Sequence, residues 1–140
     1  MTQEEKELLL KDLCARLPYH TYTKVWLKDG TTEEGALDLE HNYGDVLRGT
    51  FYYNEIVKIK PYLFPLSSMT KEQLFEVQEI LGKNEIEIDD GFLRIVDSDR
   101  NVITYLEILA VLEWFYKNHF DINGLISKGL AIDATGLNIY

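Results

Sequence analysis

A single cysteine, Cys14, stands in 140 residues. No intrachain disulfide can form, and a thiolate metal site is excluded. Its spacing from Leu10, Leu13 and Leu17 places it on an apolar helix face, where an inert core thiol is expected. Long apolar runs are missing: nothing approaches the ~20 residues that cross a bilayer. The stretch TQEEKELLLKDL puts its acids ahead of its leucines, unlike a signal peptide, and a cytoplasmic protein is expected. Basic residues are scarce, with 14 Lys and Arg against 24 Asp and Glu and a net charge of −10. A chain without a basic run is poorly suited to gripping nucleic acid, because Lys and Arg supply the phosphate contacts. Charge of this sign serves solubility first, and second an acidic surface that imitates nucleic acid or meets a basic partner.

Motifs of catalysis are also wanting. There is no Gly-rich phosphate loop and no nucleophile elbow. His20, His41 and His119 are far apart, with no i, i+4 pair. His119 follows a helix end, where a cation would meet the macrodipole favourably. DSDRN at 97–101 suggests a calcium loop, but Val102 and Ile108 stand where Gly and Glu are required. The acid pairs Asp89-Asp90 and Asp97/Asp99 read as solvated turns, and Ser67-Ser68 as a turn ahead of a helix. No catalytic residue, metal ligand or cofactor is assigned.

What is present is well punctuated. Thr2 with Glu5, Thr70 with Gln73 and Thr104 with Glu107 each fit a capping box. They predict helices over about 3–16, stopped by Pro18, over about 71–81, stopped by Gly82, and over about 105–118. Leu74, Val77 and Leu81 mark one face of the second, with Phe75 beside it. Ile108, Leu109, Val111, Leu112 and Phe115 give the third a broad apolar stripe. A short helical turn is expected at 124–127. Between the first two helices the period falls to two. Val25 and Leu27 alternate with polar neighbours, Asp29-Gly30 signals a hairpin, and Ala36, Leu37 and Leu39 suit the return strand. Asn42 to Gly44 is a second turn; 46–53 and 55–60 are further strands. Another hairpin spans 85–96, turning at Asp90-Gly91. The fold class is α+β: an N-terminal helix, a small antiparallel sheet or partly open barrel of SH3 or Sm type, then helix, hairpin and helix. The division falls near Met69, with 1–69 and 70–140 packed as one unit.

At that division lies IKPYLFPLSSMT, residues 59–70, where Pro61 and Pro65 bracket Tyr62, Leu63 and Phe64. Prolines bias the chain to extended form and withhold backbone donors. The expected role of the three apolar residues is to clamp the sheet onto the helices. The alternative is an exposed strip, with Tyr62, Leu63 and Phe64 as candidate partner-binding residues and Trp26, Tyr52 and Tyr53 extending it.

LLLKDLCARLPY at 8–19, IKPYLFPLSSMT at 59–70 and HFDINGLISKGLAID at 119–133 together resemble a group of short uncharacterised proteins of gut Bacteroides and their phages. The resemblance implies a bacterial or phage cytoplasmic protein and no chemistry. Where that group typically has Arg before the second proline, this chain has Phe64. VWLKDGTTEEGAL at 25–37 is similar to the first hairpin of Sm-like RNA-binding barrels, with Arg48-Gly49 as one further fragment. The expected function is a protein-interaction module, with an unknown protein as partner. The alternatives are an Sm or SH3-like nucleic-acid module, which requires a local basic groove with aromatic platforms despite the overall charge, and a hydrolase or metal-dependent enzyme, which requires convergent carboxylates or histidines in a cleft.

Overall fold

The computed structural model describes residues 1–37, 56–82, 85–89, 92–96 and 105–140. Helix α1 (Gln3–Arg16) opens on a complete capping box: Glu5 N donates to Thr2 Oγ1, and Thr2 N to the Glu5 carboxylate. A 3-10 turn at Leu17–Tyr19, with Pro18 inside it, ends the helix, and His20 follows in the left-handed region at φ 51°. The buried face of α1 carries Leu9, Asp12, Leu13 and Arg16. Cys14 is exposed, against the expectation of a core thiol. Leucines ring this helix so broadly that they do not define one face. The face actually buried is fixed by the Asp12–Arg16 pair, one helical turn apart.

Strands β1 (Tyr22–Leu27) and β2 (Thr32–Ala36) form the expected hairpin. Asp29 Oδ1 accepts from both Thr31 N and Thr31 Oγ1, and Gly30 takes φ 87°, a conformation that suits glycine. The return strand begins at Thr32, earlier than the apolar residues alone suggested. β1 also pairs antiparallel with β3 (Ile56–Leu63). β3 runs through Pro61, where the sequence implied a break. Pro61 lies opposite Thr23 on β1, and the fourth strand, β6 (Ile132–Asp133), joins only from Tyr62 onward. At Pro61 the strand therefore has one neighbour, and the missing donor is tolerated as on an edge.

The sheet order is β2-β1-β3-β6, with β6 parallel to β3. The sheet is thus mixed rather than wholly antiparallel, and the barrel does not close. Helix α2 (Lys71–Leu81) has its own capping box from Thr70 and Gln73. Strands β4 (Glu85–Asp89) and β5 (Phe92–Val96) pair antiparallel as expected, and α3 (Tyr105–Lys117) follows. A helical turn closes with Lys128 N on Gly124 O, organised by the buried Asp121, which accepts from Leu125 N and Ile126 N. The architecture is α+β.

Two apolar clusters hold these elements. One joins Leu9 and Leu13 of α1 to Val25, Ile56, Ile59 and Leu63 of the sheet and to Leu125 and Leu130. The other joins Leu66, Val77 and Leu81 to Val111, Phe115 and Phe120, with Phe64, Met69 and Leu74 packed against it. Ile108 and Leu109 lie outside this second cluster, 37% and 42% exposed, and Phe75 is 61% exposed. The expected stripe on α3 thus narrows to Val111 and Phe115.

The second turn at 42–44, the strand at 46–53 and Arg48-Gly49 lie outside the described residues. So do His41, Tyr52 and Tyr53, the Asp90-Gly91 turn, Asp97/Asp99 and the Thr104 cap.

Candidate functional site: a basic and aromatic sheet face

The period of two in β1 and β3 sorts their side chains. Thr23 and Val25 turn inward with Ile59, Pro61 and Leu63, and all five are buried. Tyr22, Lys24 and Trp26 share the opposite face with Lys58, Lys60 and Tyr62. The register sets Lys24 directly opposite Lys60, and Trp26 opposite Lys58. Lys58 Nζ lies 4.6 Å from the centre of the Trp26 ring and Lys24 Nζ 5.8 Å, so the indole sits between two ammonium groups. The ladder slips after this pair, Leu27 being matched to Ile56, which leaves Val57 as an extra residue, 56% exposed. That bulge turns Val57 and Lys58 outward together.

Lys24 has a counter-ion in Glu34 of β2 at 3.0 Å, and the Glu34 carboxylate also accepts from the Tyr62 hydroxyl at 2.9 Å. These two donors hold Glu34 below its usual pKa. Burial pushes the Tyr62 hydroxyl up to about 12, and the Glu34 hydrogen bond adds to it. Among the described residues neither Lys58 nor Lys60 meets a carboxylate. Partial burial lowers the pKa of Lys60, and the neighbouring charge of Lys58 lowers it further. Like charges directly opposed across a strand pair are destabilising. The chain thus collects cations on one small face despite its net −10.

The candidate residues of the connector go elsewhere. Tyr62 is 6% exposed and Leu63 is fully buried. Leu63 packs in the sheet cluster, and Phe64, half buried, packs against the helical one. Phe64 N donates to His119 O and Phe64 O accepts from Asp121 N, a bridge that continues β3 past its last paired residue. An exposed strip at Tyr62 and Leu63 is therefore not present: the alternation that turns Leu63 inward also puts Tyr62 beneath Tyr22, 6.0 Å away, and Glu34.

Past Tyr62 the same side of β3 meets the C-terminal segment. Tyr140 stacks on His119 at 3.7 Å between ring centres and 9° between planes. Its hydroxyl accepts from Tyr22 N and donates to Tyr62 O, spanning β1 and β3 where their pairing ends. Burial raises the Tyr140 hydroxyl to about 12. His119 Nδ1 is 3.2 Å from Thr21 Oγ1. Desolvation, and then the charge of Arg16, push the ring of His119 down to about 4. The helix-end cation expected from sequence is therefore a neutral imidazole: lost hydration outweighs the macrodipole. Below the unfolded value of 6.5 the unfolded chain binds a proton that the folded ring refuses, so stability falls as pH drops from 6.5 toward 4. The full shift would amount to about 3 kcal/mol; solvent reaching the half-buried ring reduces this to on the order of 1–2 kcal/mol. Urea unfolding at pH 7 and pH 5 checks this. Wild type should lose on the order of 1 kcal/mol more than His119→Asn, a substitution compatible with the positive φ of 62°.

Among the described residues no group of three or more His, Cys, Asp or Glu is placed to hold a metal ion. Nor, among them, is any helix long and apolar enough to cross a membrane. No family model, curated protein or solved structure matches this chain.

Proposed function

We propose that this protein is an interaction module that docks a short acidic segment of a partner protein on the outer face of β1 and β3. The observation that carries the reading is the Lys24, Trp26, Lys58 and Lys60 cluster, where two cations lack a carboxylate among the described residues. A folded domain that holds opposed ammonium groups on a strand pair gains when an anion sits between them. Trp26 adds a flat apolar surface of the kind enriched at binding hot spots.

The size of the patch argues for a short occupant. Three lysines on two strands reach two or three anionic groups, and Glu34 borders them. Nucleic-acid binding at physiological salt draws on many phosphate contacts, commonly about 6–10. A long polyanion would leave this patch for the acidic surroundings of a chain carrying −10.

Fluorescence anisotropy tests the proposal, with a labelled peptide of three glutamates and one leucine beside a labelled ten-nucleotide oligothymidylate. Saturable peptide binding is expected, weakened about tenfold in Lys58→Gln/Lys60→Gln, which corresponds to about 1.4 kcal/mol. Failure of the peptide to saturate, or an unchanged affinity in the double variant, overturns the proposal. Tighter binding of the oligonucleotide replaces it with the nucleic-acid reading.

A further inference from the structure

A second feature stands apart from the basic sheet face. An open groove of about 500 Å³ lies between the N-terminal end of α2, the C-terminal end of α3 and the last residues of the chain. Phe64, Phe120 and Tyr140 contribute rings to its wall, with the imidazole of His119 stacked on Tyr140. Gln73, Thr135 and Lys117 contribute its polar groups. The volume is that of a small-molecule site, and such sites combine apolar walls with a few placed polar groups.

Charge selects among ligands. Lys117 is exposed at the groove, and among the described lining residues none is acidic. Behind the wall the Arg16 guanidinium is neutralised by the buried Asp12 carboxylate, 2.6 Å away. The imidazole contributes no cation of its own near neutral pH. Among the described lining residues the accessible charge is thus the Lys117 ammonium, on a chain that is otherwise strongly acidic. Aromatic rings in the wall favour a flat partner, since offset stacking adds to the area buried. Among the described lining residues a dianion or a long polyanion finds only one accessible cation.

We propose that the groove binds a small monoanion with a planar ring, an aromatic carboxylate, its ring against Phe64 and Tyr140 and its carboxylate on Lys117. This is a site separate from the one proposed for the acidic segment, and it stands or falls independently of it.

Heteronuclear NMR titration of the 15N-labelled full chain tests it, with benzoate as the probe and benzamide as its neutral counterpart. Benzoate is expected to give saturable shifts at the amides of Phe64, His119 and Gly136. Its affinity should fall at least tenfold in Lys117→Gln and stay unchanged in Lys58→Gln/Lys60→Gln. Benzamide should bind at least tenfold more weakly than benzoate. The proposal is overturned if those amides show no saturable shift up to ~10 mM benzoate. It is equally overturned if benzamide matches benzoate, if Lys117→Gln binds as wild type does, or if the shifts map to β1 and β3 instead.

Discussion

Asp12→Ala is expected to cost about 3–5 kcal/mol, the loss that follows when one partner of a buried ion pair is removed. Arg16 is fully buried and Asp12 is 1% exposed. The pair is two-pronged, with Arg16 Nε 2.6 Å from Asp12 Oδ2 and Nη2 3.1 Å from Oδ1. Asn123 donates to the same Oδ1 at 2.8 Å, and Arg16 Nη2 reaches across to Phe120 O at 2.7 Å. The guanidinium also lies 4.9 Å from the centre of the Tyr116 ring. Among the described residues its Nη1 has no hydrogen-bond partner. Without the carboxylate, a positive charge is left unpaired in the interior. Urea unfolding of Asp12→Ala, Arg16→Met and the double variant measures the coupling. The double variant should recover a large part of the loss, because no unpaired charge then remains buried. A single-variant loss below about 1 kcal/mol would show the pair to be solvated in solution.

Phe120→Ala should destabilise by a comparable amount, about 3–5 kcal/mol. The ring is 2% exposed and meets three others: Trp114 at 5.8 Å in a near-parallel stack, Phe115 at 6.1 Å edge-on and Phe64 at 6.1 Å. Truncation leaves a cavity at the join of α3 to the end of β3. The surrounding elements cannot close it freely, because the Phe120 carbonyl is held by Arg16 and its N–H by Phe115 O. The thermal midpoint should fall by on the order of 10 °C or more. Phe75→Ala is the control: the same atoms leave a residue that is 61% exposed, and the change should stay within about 0.5 kcal/mol. Similar losses for the two variants would mean that Phe120 is not the keystone of this cluster.

Those two residues also show where the sequence was legible and where it was not. Helix limits were readable because capping is local. Thr2 with Glu5 and Thr70 with Gln73 satisfy their own backbone donors whatever the rest of the chain does. The Asp29-Gly30 hairpin was readable for the same reason. Asp12 and Arg16 were not, because a charged pair at i, i+4 ordinarily marks a solvated helix face, and only tertiary packing shows that this one is inside. Their one-turn spacing was the available signal. The β6 strand left no local trace either, since two residues pairing in parallel with Tyr62 and Leu63 carry no periodicity. The basic face was half visible. Lys24 and Trp26 alternate, as do Lys58 and Lys60, but their convergence appears only when the register of β1 on β3 is known. In the connector, Leu63 obeyed the alternation of a strand that Pro61 had seemed to forbid.

The short β6 strand has a kinetic consequence. Ile132 must find Tyr62 across seventy positions of chain, whereas Trp26 finds Thr32 across six. Closing the longer loop costs about 2 kcal/mol more in chain entropy. Two paired residues return little until the partner surface already stands, so β6 belongs to the last steps of assembly. The hydroxyl that Tyr140 lays across Tyr22 and Tyr62 then works as a seal applied after closure. By the same argument the C-terminal segment is expected to open before the sheet that it locks.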